Sequence, residues 1–294
     1  MQKEMRDLVP KGKLSISALR TAKGRERKLT MVTAYDFPSA VLVDESPIEM
    51  LLVGDSLGNN VLGYAGTVAV TMDEMLHHLR AVVRGAPQTL IVGDMPFGSY
   101  NASPEQAIAH ATQFVKAGAE CVKLEGGVAF AKTVRSLVSA GIPVIGHTGL
   151  MPQTVHPSAW TVQGRDLSSA KAIIDDALAL EAAGVSAVVL EAVPAQLASH
   201  ITTTLSVPTI GIAAGPACDG QVLVWNDVLG LGKGQARHVK RYAALNETIA
   251  SALAAYCVDV EKGEFPGQEH SYMMKPDELA AVLESIVTDA DTTS

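Results

Sequence analysis

The sequence predicts a closed (β/α)8 barrel of the TIM type, and three observations carry that reading. From Leu29 onward, short β-branched runs alternate with longer helix-compatible stretches, the pattern of repeated βα units and a parallel sheet. The chain has 294 residues, which suits one such barrel of about 250 residues. A hydrophobic fraction of 48 % with only 4 % aromatics describes an aliphatic core of Val, Leu, Ile and Ala, as parallel strands covered on both faces require.

Eight strand segments follow in order: Thr30 to Asp36, Met50 to Asp55, Thr89 to Asp94, Cys121 to Glu125, Pro143 to His147, Ala187 to Glu191, Pro208 to Ile212 and Val222 to Trp225. The intervening helices are Asp73 to Gly85, Pro104 to Ala117, Val128 to Ala140, Ser168 to Ala183 and Ala195 to Thr204. Their punctuation is legible. Thr71 stands ahead of Asp73 and Glu74, and Ser103 precedes Pro104 as an N-cap before an N1 proline. Gly118, Gly141 and Gly184 end helices. An open doubly wound sheet is the structural alternative, weakened because Gly211-Ile-Ala-Ala-Gly215 is not a dinucleotide fingerprint. A helix after Gly234, running to about Lys262, is expected to close the barrel, and the end past Val287 to fray. The chain therefore divides into a basic N-terminal extension (1–28), a catalytic barrel (29–272) and a C-terminal tail (273–294).

Composition excludes several classes. The formal charge is −8, yet residues 1–28 hold nine Lys or Arg against three acids, a local +6 that leaves −14 for the rest. So acidic a body is not a nucleic-acid binder. The basic segment is not acid-poor enough for a transit peptide, since it contains Glu4, Asp7 and Glu26, and reads as a solvated extension or an arm for a neighbouring subunit. With neither a membrane span nor a secretory signal, a soluble, cytoplasmic protein is expected. Cys121, Cys218 and Cys257 are widely spaced and form no C-x-x-C pair, so they read as reduced thiols.

The chemistry lies where apolar runs stop. Asp55, Asp94, Glu125, His147 and Glu191 each end a strand segment, and in a barrel those ends converge on one mouth. A single acid in such a position is more often a helix cap or a loop hydrogen bonder. Several in register repel one another and need a cation or a shared proton. With oxygen donors and no Cys or His set, that cation is hard, Mg2+ before Mn2+, and it would activate a small oxo acid. Lys123 shares a strand face with Glu125 and Cys121. It is either a buried ion pair or a holder of a substrate carboxylate or enolate oxygen, whereas Cys121, one layer deeper, is core. Asp36 is a supporting residue or the cap of the next helix. His77 and His78, adjacent in a helix, cannot face one site together and read as surface residues, and His147 reads as a partner for a carboxylate or for substrate. Gly54-Asp-Ser-Leu-Gly58 matches G-x-S-x-G, which would make Ser56 a hydrolase nucleophile, but no helix is expected directly after it.

Six runs closely resemble ketopantoate hydroxymethyltransferase: Thr33 to Asp36, Val53 to Gly58, Asp94 to Phe97, Lys123 to Gly127, Gly146 to Gln153 and Leu190 to Pro194. Val162 to Arg165, Asp219 to Gln221 and Phe265 to Ser271 extend the resemblance over about residues 29 to 272. It implies a (β/α)8 barrel of the phosphoenolpyruvate mutase and isocitrate lyase superfamily, often a homodecamer. It further implies hydroxymethyl transfer from 5,10-methylenetetrahydrofolate to 3-methyl-2-oxobutanoate, giving 2-dehydropantoate on the route to pantothenate. By position, Asp55, Asp94 and Glu125 would be magnesium ligands, directly or through water; Asp55, Ser56, Asp94 and Lys123 would contact the oxo acid; Glu191 would accept the proton. The sequence departs from the family pattern at Asp44 to Glu49, at Ala213 where glycine is usual, and at Ser158-Ala-Trp160. Rivals are a metal-dependent C–C lyase of the isocitrate lyase type, whose Lys-x-Cys-Gly loop is missing here, a serine hydrolase using Ser56, and a non-catalytic barrel that binds small acids.

Overall fold

The computed structural model describes residues 12–155, 160–232 and 236–291. The chain divides into two compact units, Met1–Ala243 and Ala244–Ser294. In the first, eight parallel strands form a closed barrel in sequence order: β1 (Leu29–Thr33), β2 (Met50–Val53), β3 (Leu90–Asp94), β4 (Cys121–Glu125), β5 (Val144–Gly149), β6 (Ala187–Glu191), β7 (Thr209–Ile212) and β8 (Gly220–Leu223). Closure comes from β8 pairing with β1, Leu29 opposite Gly220, and not from a helix after Gly234. Gly234 lies outside the described residues.

The helices of this unit are α1 (Ile16–Arg20), α2 (Phe37–Asp44), α3 (Leu57–Asn60), α4 (Met72–Gly85), α5 (Pro104–Lys116), α6 (Ala131–Ser139), α7 (Leu167–Ala183), α8 (Ala195–Thr204) and α9 (Trp225–Leu229). Thr71 and Glu74 form a reciprocal capping box on α4, and Ser103 caps α5 ahead of Pro104. Gly118, Gly141 and Gly184 adopt positive φ just beyond α5, α6 and α7, as helix-terminating glycines do. Asp36 proves to be the cap of α2, its carboxylate accepting from Ser39 N at 2.8 Å.

The aliphatic composition is used in two layers. Leu51, Val53, Ile91, Val122, Leu124, Val188 and Leu190 face the surrounding helices. Their alternates Met50, Leu52, Leu90, Val92, Cys121, Ile145, Ala187 and Val189 fill the barrel interior, as the two-residue period of a strand dictates. Leu19 and Ala22 are fully buried in that inner cluster, with Leu14 and Ile16 packed against it. From Leu14 onward the basic segment is thus a plug for the barrel and not a solvated extension. It is pinned by Arg20 Nε donating to Ser186 Oγ and by ion pairs Lys23–Asp219 and Arg25–Glu49. Residues 1–11 lie outside the described residues.

Two further boundaries differ from expectation. The eighth strand begins at Gly220, and Trp225 opens a helix instead of ending the strand. A Cβ on Gly220 would sit 2.7 Å from Leu29 Cβ, so the residue that breaks the β-branched pattern is the one the closing strand pair requires. The second unit consists of α10 (Leu245–Lys262), a 3-10 turn at Gln268–His270 and α11 (Pro276–Asp291), so helix continues past Val287 where fraying was expected.

Candidate active site

Parallel pairing decides which polar ends meet. Asp94 pairs with Lys123 across β3 and β4, Glu125 with His147 across β4 and β5, and Gly149 with Glu191 across β5 and β6. Asp94, Lys123, Glu125, His147 and Glu191 continue the inward series of their strands, one step beyond the hydrophobic interior. Asp55 reaches the same place from just after β2. All six line one cavity of about 520 Å³, together with Ser56 and Thr33. The convergence expected from sequence is therefore present.

Lys123 Nζ lies 2.9 Å from Asp94 Oδ1, both groups being buried. Asp94 Oδ1 has no aligned hydrogen bond, while Asp94 Oδ2 accepts from Asp55 N at 3.2 Å. His147 Nδ1 is 3.5 Å from Lys123 Nζ and 3.7 Å from Glu125 Oε1. Because the ammonium only donates, Nδ1 accepts, and the proton sits on Nε2. That atom is 3.3 Å from Glu191 Oε2, out of line for a hydrogen bond.

Sequence reasoning gave no role to Gln153 and Tyr100, and both are central. Gln153 Nε2 donates to Asp55 Oδ2 at 2.8 Å and to Met95 O at 3.0 Å, while its main-chain N–H donates to Glu125 Oε2 at 3.0 Å. Tyr100 Oη donates to Gln153 Oε1 at 2.6 Å and accepts from Glu125 N at 3.3 Å. Gln153 follows β5 by four residues and Tyr100 follows β3 by six, so neither marks a strand end. Asp227, in the first turn of α9, also lines the cavity and escaped for the same reason.

Electrostatics in this buried place are one-sided. Burial raises the Asp94 carboxyl to about 7, with Lys123 opposing and Asp55 reinforcing the rise. Burial likewise pushes Glu125 well above the usual carboxylate range, against Lys123 and with Asp55 and Asp94. Burial works against the Lys123 charge, but Asp94, Asp55 and Glu125 outweigh it and hold the ammonium above its ordinary range. Burial, helped by Lys123 and opposed by Glu191, keeps the His147 imidazole below its ordinary value and hence neutral.

One lysine thus faces three carboxylates, more negative charge than it can compensate, and the Asp94 oxygen it pairs with has no further partner. These residues fit a hard divalent cation. Among the described residues, no three of His, Cys, Asp or Glu enclose an ion by themselves. A cation held by one or two carboxylates, completing its shell with water and substrate oxygens, is what Mg2+ favours.

The serine reading fails on different grounds from those expected. A turn of helix, α3, does follow Ser56 directly. The Ser56 hydroxyl, however, hydrogen-bonds the Tyr35 phenol at 2.9 Å, and burial raises that phenol to about 12, so it is no base for a nucleophile. Of the cysteines, Cys121 and Cys218 are buried and Cys257 is exposed, and none precedes glycine. His78 lies away from the cavity, its Nδ1 2.5 Å from Tyr35 O. Trp160 and Ala213, two of the departures, line the cavity, whereas Ser158 and Ala159 lie outside the described residues. Ala213 has φ +54° and Ala192, next to Glu191, has φ +49°. The family's usual glycine at position 213 thus meets a left-handed backbone. Among the described residues no helix is long and apolar enough to cross a membrane.

The family model for ketopantoate hydroxymethyltransferase matches residues 13–268. A 3-methyl-2-oxobutanoate hydroxymethyltransferase of Heliobacterium modesticaldum is 54 % identical over 265 residues, covering 89 % of this chain and 96 % of that protein. One of Chloroflexus aurantiacus is 52 % identical over 275 residues, covering 93 % and 98 %. Among solved structures, 2,3-dimethylmalate lyase, a member of the PEP mutase/isocitrate lyase superfamily, superposes with TM-score 0.57 at 18 % identity, over 96 % of this chain and all of that one. Phosphonopyruvate hydrolase in complex with oxalate and Mg++ gives TM-score 0.58 at 13 % identity, over 94 % and 96 %.

Proposed function

This chain belongs to the ketopantoate hydroxymethyltransferase family, and from that premise we propose that it transfers a hydroxymethyl group from 5,10-methylenetetrahydrofolate to 3-methyl-2-oxobutanoate, giving 2-dehydropantoate. The observation that carries the proposal is the single cavity into which Asp55, Asp94, Lys123, Glu125 and Glu191 all open.

Asp55, Asp94 and Glu125 would hold Mg2+, directly or through water. The cation supplies Lewis acidity, polarising the oxo group so that the C3 proton of the oxo acid can be removed. Asp55, Ser56, Asp94 and Lys123 position the oxo acid. Lys123, held charged by its neighbours, stabilises the negative charge that develops on the enolate oxygen. Glu191 is the base. It is less buried than the other acids, with a side chain 22 % exposed, and His147 Nε2 lies 3.3 Å from its carboxylate. It takes the C3 proton, the enolate carbon bonds to the methylene carbon of the donor, and both C–N bonds of that carbon break, one on opening of the ring and the other as a water oxygen takes its place; the C3 proton and one water proton end on the two freed nitrogens, and the other water proton stays on the new hydroxyl. Gln153 and Tyr100 hold Asp55 and Glu125 in place.

In the same proposal the chain assembles as a homo-oligomer, a decamer by resemblance. The test is proton NMR of 3-methyl-2-oxobutanoate in D2O with the protein, with and without Mg2+ and the folate donor. Loss of the C3 proton signal only when Mg2+ is present is the expected result; a signal that persists under all conditions removes the proposed reaction.

A further inference from the structure

Ser56 stands at the N-cap of α3 yet does not cap it: its hydroxyl makes no bond to the helix amides that an N-cap serine ordinarily serves. The side chain lines the active-site cavity instead, and its oxygen lies 2.9 Å from Tyr35 Oη. Tyr35 is buried behind it, 4 % exposed and outside the cavity lining. One hydrogen lies between the two oxygens, and which oxygen owns it decides what Ser56 can offer a ligand.

The phenol keeps its hydrogen, since burial raises it to about 12, with Ser56 and Thr33 opposing the rise. Thr33 Oγ1 accepts from Trp225 N at 2.9 Å, and a main-chain N–H can only donate. A hydroxyl polarised in this way is a better donor of its own hydrogen, and the influence of Thr33 on the phenol is that of a donor. Among the described residues the acceptor left for the phenol hydrogen is therefore Ser56 Oγ. Any other direction would leave a buried donor unpaired, which folded proteins avoid. The order thus runs from Trp225 N–H through Thr33 and Tyr35 to Ser56, and the Ser56 hydrogen is the one left for the cavity.

The rest of the wall gives this hydrogen its use. Asp55, Asp94, Glu125, Glu191 and Asp227 line the cavity, so an anionic ligand meets acceptors on most sides and needs fixed donors. Lys123 supplies one. A serine hydroxyl free to turn can present either its hydrogen or its lone pairs, whereas one that already accepts from Tyr35 presents the hydrogen.

We propose that Tyr35 is a positioning residue for the oxo acid: it donates to Ser56 Oγ and so makes the Ser56 hydroxyl a dedicated donor to the substrate carboxylate. This inference rests on the reaction proposed above, in which Ser56 contacts the oxo acid, and its test separates the two. A contact made equally before and during enolisation is uniform binding, so it belongs in KM and not in kcat.

The experiment follows Mg2+-dependent C3 exchange by NMR over a range of 3-methyl-2-oxobutanoate concentrations, in the full-length protein and its Y35F, S56A, Y35F/S56A, T33V and T33S variants. Exchange by the unaltered protein tests the reaction itself, and its absence overturns that reading and this inference with it. Given exchange, Y35F should raise KM about fivefold, roughly the worth of one hydrogen bond, with kcat held within about twofold. S56A should raise KM by about tenfold or more, the worth of a hydrogen bond to a charged group. The double variant should equal S56A, because Tyr35 acts only through that hydroxyl. T33S should behave as the unaltered protein, and T33V should fall between it and Y35F. An unchanged KM in Y35F or S56A, effects of the two that multiply in the double variant, or a Y35F defect confined to kcat overturns the positioning role while leaving the reaction standing. If Y35F does not fold, T33V against T33S decides, and equal KM values in those two overturn the role.

Discussion

Gln153 Nε2 lies 2.8 Å from Asp55 Oδ2, and the same residue's main-chain N–H holds Glu125. One buried residue thereby fixes the spacing between a carboxylate just after β2 and one at the end of β4, two strands that do not pair with each other. Gln153→Leu keeps the main-chain hydrogen bond to Glu125 but leaves Asp55 Oδ2, Met95 O and the Tyr100 hydroxyl without their amide partners. Each buried orphan costs about 1–3 kcal/mol. The metal-free variant should lose about 3 kcal/mol and melt about 6–12 °C lower, and its Mg2+-dependent C3 exchange should fall because Asp55 is no longer oriented. Differential scanning calorimetry and the NMR exchange assay check the two effects, and an unchanged melting point would remove Gln153 from its positioning role.

The pH behaviour follows from Asp94 and Glu125. Folding raises both carboxyls, Asp94 to about 7, chiefly by burial. Their protonated forms are thus favoured by the fold. In the metal-free protein this contribution to stability is complete below the ordinary carboxylate range, near 3.8 for Asp94, and is lost as pH rises through about 7. Cation binding requires the ionised forms and so releases protons. Mg2+ affinity should therefore rise between about pH 6 and 8, and the increase in melting temperature on adding Mg2+ should be larger at pH 8 than at pH 6. Titration calorimetry in buffers of different ionisation enthalpy reads the proton release directly; an affinity independent of pH across that window contradicts the account.

Glu191→Gln keeps the shape of the side chain beside His147 and removes the base. Removal of a general base costs about 100- to 10,000-fold. C3 exchange should fall by that order while Mg2+ and oxo acid binding persist, because the polar neighbour of Glu191 is His147, and Asp55, Asp94, Glu125 and Lys123 keep their own partners in the variant. Undiminished exchange in the variant would assign the proton to another group, His147 being the nearest.

How much of this was legible in the sequence depends on the range of the interaction. The barrel was legible because strand alternation and helix caps are local: Ser103 before Pro104 and Gly184 after Ala183 mark helix ends wherever they occur. The inward register of Lys123 and Glu125 was legible for the same reason, a two-residue period. The eighth strand was misplaced because Gly220 and Gln221 have poor strand propensity and are held there by pairing with β1, a contact nearly 200 residues away. The roles of Gln153, Tyr100 and Asp227 were not legible because they depend on where the segments after β5, β3 and β8 return over the mouth. The plug formed by Leu19 and Ala22 was hidden by the charge around it: nine basic residues suggested solvent, while two small apolar ones carried the packing.

Ala213 lines the active-site cavity with φ +54°, a conformation that places its Cβ against its own carbonyl. That strain is worth about 1–2 kcal/mol for a residue with a side chain. Glycine relieves it but adds freedom to the unfolded chain worth about 0.4–1 kcal/mol. Ala213→Gly should therefore stabilise the protein by about 0.5–1 kcal/mol, raising the melting temperature by about 1–4 °C. Ala192 provides the comparison. It has a similar φ of +49°, but its N–H donates to Ile212 O at 2.9 Å and its carbonyl accepts from Gln163 N at 2.8 Å, so the backbone beside Glu191 is held on both sides. Ala192→Gly should give a similar gain in melting temperature and, with those two hydrogen bonds intact, leave the backbone path after Glu191 as it is. Calorimetry on the two variants decides the matter: if both melt lower than the unaltered protein, the positive-φ alanines are not strained, and the preference for glycine at position 213 has another cause.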